Sequence, residues 1–239
     1  MPRMDEKRIG RGYKVARAIG KPLTHALWRI KFEGLENLPS EGGAVLCPNH
    51  VSFLDSAFLL MRLPRQITFV GKAEYMDSWQ TKYLFPAVGM IPIDRKGGDS
   101  AEAALSAAQK VLEQGQLFGI FPEGTRARDG RLHKGHTGAA RLALRTGSPI
   151  IPIGCVGTRE IQPPDAKMPK PFKRATIKIG VPINVDRHRR RHGDNDPLLL
   201  RSITDELMYQ IRELTDQDYV HEYATKRAEA LPAELARIA

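Results

Sequence analysis

Six short apolar runs, each closed by glycine, proline or charge, constrain this chain more than any other feature. They are Ala44–Cys47, Ile67–Val70, Met90–Ile93, Leu117–Phe121, Ile150–Cys155 and Ala175–Ile179. Each has the length and bounding residues of a buried strand. Helical patterns separate several of them. The clearest is Glu102–Gln114, where Asp99 or Ser100 can cap the start and Gly115 the end. Strands that alternate with helices predict an α/β fold, a mostly parallel central sheet flanked by helices.

The chain divides into three stretches around that pattern. Residues 1–31 are basic and amphipathic, with Tyr13, Ala16, Ile19, Leu23, Leu27 and Ile30 at three- and four-residue steps. Arg11, Lys14, Arg17 and Lys21 form a charged stripe beside them, and Pro22 is expected to divide the stretch into an N-terminal amphipathic helical pair. Such a pair fits two situations, packing on the core with a solvated basic face or lying on a membrane. Residues 32–185 hold the strand and helix alternation. Residues 186–239 open with the basic run from Arg187 to His192, and a helix is expected from about Pro197 to Leu214 before a charged tail.

Composition narrows the partners. The chain has 239 residues, room for one domain with a sizeable core, or one domain plus a small appendage. Lys and Arg number 37 against 27 Asp and Glu, a net charge of +10, which favours anionic lipid, phosphorylated substrates or nucleic acid. Nucleic acid fits poorly, because aromatic content is 7% and the basic stretches 7–21 and 187–192 hold few stacking residues. No apolar run approaches the roughly 20 residues needed to span a bilayer, and Met1–Lys21 lacks the apolar block of a signal peptide. A cytoplasmic protein, able to lie on a membrane surface, is expected. Cys47 and Cys155 sit in apolar runs without metal-ligand spacing and are read as reduced core residues. No metal site is expected.

Three segments at predicted strand ends carry possible chemistry. The first is Asn49-His50-Val51-Ser52-Phe53-Leu54-Asp55, directly after Ala44–Cys47. A histidine here can take a proton from a hydroxyl at neutral pH, and a carboxylate on its other nitrogen would fix the tautomer. Five residues of helix turn about 500°, which leaves His50 and Asp55 about 140° apart. His50 must therefore precede the helix, with Asp55 reaching back from its first turn. Read alone, the pair equally fits a satisfied cap or core histidine. The second segment is Phe121-Pro122-Glu123-Gly124-Thr125-Arg126. Its Pro and Gly force a tight turn, and Arg126 can grip a phosphate, although a surface turn with a salt bridge is also compatible. Glu123 could bind a substrate hydroxyl or orient a neighbouring arginine. The third segment, Gly89 to Arg95, would bring a second phosphate ligand in Arg95, and Lys72 offers a third. Strand ends of one parallel sheet share an edge, where α/β proteins bind ligands.

Together these segments resemble the glycerolipid acyltransferases, specifically the bacterial 1-acylglycerol-3-phosphate acyltransferases, over residues 32–185. That family carries Asn-His-x4-Asp, here Asn49, His50 and Asp55. It carries a Gly-x5-Arg strand, here Gly89 to Arg95, and Phe-Pro-Glu-Gly-Thr-Arg, intact at 121–126. An apolar Pro-containing strand follows, here Ile151, Pro152 and Ile153. The resemblance implies transfer of an acyl chain from acyl-CoA or acyl-carrier protein to the sn-2 hydroxyl of a lysophospholipid, with no other cofactor. It implies that His50 acts as general base oriented by Asp55, and that Arg95, Glu123, Gly124, Thr125 and Arg126 bind the acceptor, with Lys72 carried beside them. It also makes the amphipathic start look like the membrane-docking helices of short family members, which would place the protein on the inner face of the cell membrane. The longer members have transmembrane helices before the first block, and this chain shows none there. The same chemistry on glycerol 3-phosphate, another lysophospholipid or a glycolipid stays open. So does a non-catalytic binder of anionic lipid.

Overall fold

A computed structural model describes residues 6–72, 90–93, 100–186 and 196–225. Arg95, Gly89, Asp99, the basic run from Arg187 to His192 and the tail after Thr225 lie outside the described residues. The main sheet has seven strands: β1 (Arg29–Glu33), β2 (Ala44–Pro48), β3 (Ile67–Lys72), β4 (Met90–Ile93), β5 (Leu117–Gly119), β7 (Ile150–Val156) and β8 (Arg174–Ile179). Their order is β1-β8-β7-β2-β5-β3-β4. Every neighbouring pair is parallel except β7 with β8. The expected α/β fold with a mostly parallel sheet is the fold observed.

Helices cover both faces, which is why the inner strands read as unbroken apolar runs. Ala44 and Leu46 point to one face, where Tyr13, Trp28, Phe58 and Leu59 pack from α1 (Glu6–Leu27) and α2 (Leu54–Arg62) or beside them. Val45 and Cys47 point to the other, into α3 (Ser100–Glu113), α4 (Gly138–Thr146) and α6 (Pro197–Thr215). Gly115 closes α3 at φ 74°, with its N–H on Leu112 O and the next N–H on Val111 O. That left-handed turn is open to glycine at little cost and delivers the chain into β5. Asp196 caps α6 by accepting from the N–H groups of Leu198 and Leu199, ahead of Pro197 in the first turn.

Two local expectations are corrected. Pro22 does not divide the start into a helical pair: α1 runs unbroken from Glu6 to Leu27 with Pro22 inside it. An internal proline costs roughly 3 kcal/mol. Tertiary anchors offset this: Tyr13 Oη donates to Leu60 O at 2.8 Å, Thr24 is buried, and Trp28 N–H closes on Thr24 O. Ile30 does not continue the helical stripe either. It sits in β1, paired with Ala175 of β8 at the sheet edge. Among the described residues no helix is long and apolar enough to cross a membrane.

A second, two-stranded sheet joins β6 (Leu132–His133) to β9 (Tyr219–Val220), in parallel. It ties the segment after α6 to the loop after β5. A one-turn helix, α5 (Thr158–Ile161), follows β7.

Candidate active site

Neighbours β7, β2, β5, β3 and β4 run parallel, so their carboxyl ends form one edge. His50 and Asp55 follow β2, Lys72 closes β3, and the turn Phe121–Arg126 follows β5.

His50 leaves β2 just past Pro48, before α2 begins at Leu54. Asp55, in the first turn of α2, reaches back and places Oδ2 3.2 Å from His50 Nδ1. The same oxygen accepts from the backbone N–H groups of Val51 at 2.9 Å and Ser52 at 2.8 Å. One carboxylate thus fixes the loop and faces the ring. The loop is held further by Ser52 Oγ, which accepts from Leu54 N–H and donates to Gln162 O. Asp55 is fully buried, and its Oδ1 has no hydrogen-bond partner among the described residues. A buried negative charge with an uncompensated oxygen is costly. The His50 side chain stays 17% exposed, reachable from outside.

Phe121 stacks on the imidazole, with ring centroids 3.7 Å apart and planes 18° off parallel, and Phe69 stacks behind Phe121 at 5.6 Å. The stack sets the ring plane and leaves Nδ1 facing Asp55. Below the ring, Asn49 is fully buried. Its Oδ1 accepts from Cys155 N–H at 2.6 Å and its Nδ2 donates to Cys155 O at 3.2 Å. These bonds pin the end of β2 to β7.

Glu123, expected among the acceptor ligands, has its carboxyl turned inward. It is buried, with Oε1 accepting from His50 N–H at 2.8 Å and Oε2 from His133 N–H at 3.1 Å. Burial pushes its carboxyl up to about 8, against the pull of those two donors; the charges of Asp55 and Asp129 add to the rise. Pro122 and Gly124 make the turn that points Glu123 inward: Gly124 sits at φ 72°, and His136 N–H holds Pro122 O. Gly124 is exposed and Thr125 half-buried at the rim. Arg126 is half-buried and donates from Nη1 to Pro164 O at 2.6 Å. Ala127 N–H donates to His50 O at 2.7 Å, so the turn grips His50 through both its main-chain groups.

Sequence reasoning missed two supports. Phe121 was legible only as part of a motif. Gln217, just after α6, accepts from Asn49 Nδ2 at 2.8 Å and donates to Gly130 O at 2.6 Å. A partner that distant in sequence leaves no local signal. Cys47 and Cys155 are free, buried and pushed well above the usual thiol range by burial, which removes either as a nucleophile.

A buried carboxylate beside a half-shielded imidazole at one sheet edge is an arrangement able to take a proton from a hydroxyl, on an α/β scaffold. A family model described as Acyltransferase matches residues 29–156, and the chain belongs to that family. It is 35% identical over 140 residues to a chloroplastic 1-acyl-sn-glycerol-3-phosphate acyltransferase of Arabidopsis thaliana, covering 58% of this chain and 39% of that protein. It is 29% identical over 137 residues to a 1-acyl-sn-glycerol-3-phosphate acyltransferase of Borreliella burgdorferi, covering 56% of this chain and 55% of that one. The matched stretch therefore spans well under two thirds of either relative. The crystal structure of the 1-acyl-sn-glycerophosphate acyltransferase PlsC from Thermotoga maritima superposes with a TM-score of 0.68 at 23% identity, over 90% of this chain and 83% of that one. The two share a fold.

Proposed function

We propose that this chain transfers a fatty acyl group from acyl-CoA or acyl-carrier protein to the sn-2 hydroxyl of 1-acylglycerol-3-phosphate. The carrying observation is the His50 and Asp55 geometry: Nδ1 lies 3.2 Å from a buried oxygen already fixed by two backbone N–H groups. With Nδ1–H donating to Asp55, the lone pair of His50 Nε2 takes the acceptor's hydroxyl proton. The oxygen attacks the thioester carbonyl carbon, the C–S bond breaks, and the imidazolium returns its proton to the departing thiolate. No acyl-enzyme forms.

Arg126, with Arg95 and Lys72, supplies cations for the acceptor phosphate. Arg126 spends one donor on Pro164 O, and a guanidinium has five. Glu123 acts as a positioning residue for His50, with Gly124 and Thr125 at the rim. The protein works as a peripheral enzyme on the inner face of the cell membrane, where its acceptor lies, and exposed cations of α1 such as Lys14 and Lys21 favour that surface.

The test is purified protein given lysophosphatidic acid and a long-chain acyl-CoA. Phosphatidic acid should form. Turnover confined to glycerol 3-phosphate, another lysophospholipid or a glycolipid overturns the acceptor. Anionic-lipid binding without turnover of any acceptor overturns the enzyme reading.

A further inference from the structure

The loop between α5 and β8 exposes what folded proteins usually bury. Met168 is 78% exposed and Phe172 is 77% exposed. Phe172 also takes φ 59°, a left-handed conformation that a bulky side chain adopts only under strain. The fold thus holds an aromatic ring in solvent on an unfavourable backbone, and strain of that kind gathers at functional surfaces.

The loop is firmly anchored. Phe172 N–H donates to Leu27 O at 2.7 Å, Trp28 Nε1 donates to Lys170 O at 2.8 Å, and Lys170 N–H donates to Ile161 O at 2.8 Å. Its first part touches the site, through Ser52 on Gln162 O and Arg126 on Pro164 O. Lys167, Lys170, Lys173 and Arg174 are all exposed around the two apolar side chains. The one acid from Gln162 to Arg174 is Asp165, which pairs with Arg128. On α1, Val15, Ile19 and Leu23 form an exposed row at four-residue steps, 60%, 66% and 53% exposed. That row continues to Leu27, whose carbonyl holds Phe172.

We propose that the Pro163–Arg174 loop docks on an anionic bilayer. Met168 and Phe172 enter the interface, the four cations meet headgroup phosphates, and the α1 row lies along the same surface. Apolar tips ringed by lysine and arginine have the composition of an interfacial anchor. The anchor would hold the edge bearing His50 at the surface that supplies its acceptor. Its purpose rests on the lipid-acceptor reading, but its binding does not.

The full chain is sedimented with phosphatidylcholine vesicles, with and without phosphatidylglycerol. Wild type should bind the anionic vesicles, and added salt should weaken binding. Phe172→Gly should weaken it about tenfold, the scale of burying part of an aromatic ring. Each of Lys167→Gln, Lys170→Gln and Lys173→Gln should weaken it about fivefold. Phe172→Gly should melt no lower than wild type, because glycine suits φ 59°. Turnover of detergent-dispersed lysophospholipid should persist in all these variants. Wild-type vesicle binding by Phe172→Gly overturns the proposal. So does equal binding to neutral vesicles, or a large loss of melting temperature in Phe172→Gly. Binding of an acyl-carrier protein without vesicle binding also overturns it, making the face a protein-docking one. Vesicle binding as expected without turnover would leave the anchor standing and remove the enzyme reading.

Discussion

Two corners of the sheet edge each bury a carboxylate beside His50, and they use it differently. After β2, Asp55 gathers two backbone donors and the His50 ring nitrogen on one oxygen, and its other oxygen has no partner among the described residues. After β5, Glu123 gives one oxygen to each of two backbone N–H groups and meets only the main chain of His50. Asp55 reaches the ring itself, through the oxygen that also holds the Val51 and Ser52 N–H groups. The satisfied Glu123 is a strut. Both carboxylates look alike in sequence, and what separates them is which part of the histidine they hold.

The comparison breaks most directly at the ring itself. His50→Ala removes the ring that Asp55 and Phe121 hold and leaves the main chain that Glu123 holds. Turnover should fall about 10² to 10⁴-fold, the range for losing a general base. The fold should persist, since Asn49 and Ala127 hold the backbone at this point. Near-normal turnover in steady-state assays would defeat the mechanism.

Asp55→Asn separates charge from geometry. An amide oxygen can replace Oδ2 and keep the bonds to Val51 and Ser52. The amide NH2 then takes the place of the unpartnered Oδ1, a buried donor costing about 1–3 kcal/mol. Turnover should drop about 10²-fold, near the low end of general-base losses. Circular dichroism should remain that of a folded chain. If kcat instead holds while only stability falls, Asp55 is another strut and the two corners are equivalent.

Glu123→Gln tests the strut. Its amide must turn a donor against either His50 N–H or His133 N–H, so stability should fall by about 1–3 kcal/mol in denaturant titration. Its pH dependence has a definite sign. The folded carboxyl is raised from 4.5 to about 8, so the folded chain holds this proton more tightly than the unfolded chain. Its contribution is present below about 4.5 and is lost as pH rises through about 8. Wild-type stability should therefore decline across that window relative to Glu123→Gln. A difference curve with no slope there would show that the carboxylate is charged throughout.

What could be read from sequence follows the same division. The buried strands were visible because strands covered on both faces must be apolar along their length. Edge strand β1, Arg29–Glu33, carries alternating charge and is hidden by the helical spacing that runs on to Ile30. The His50 and Asp55 pairing was legible because a five-residue spacing permits only one arrangement around a helix start. The inward turn of Glu123 was not, since a glutamate after a strand reads the same facing either way. Gln217 was out of reach, because its bond to Asn49 spans 168 residues and depends on where α6 ends.

The smallest effect should come from Phe121, which stacks on the histidine ring from the β5 corner. Its stack fixes the plane of the imidazole without holding a proton. Phe121→Leu keeps an apolar neighbour and loses the planar contact, a stacking preference worth about 0.5–1.5 kcal/mol. If ring orientation is all that is lost, kcat should fall about two- to twelvefold, that range converted to rate. KM should stay near its wild-type value, because Phe121 contributes orientation and the acceptor cations are untouched. A rise in KM with unchanged kcat would move Phe121 from the histidine's side of the site to the acceptor's. The β5 corner would then bind substrate after all, through its aromatic ring instead of its carboxylate.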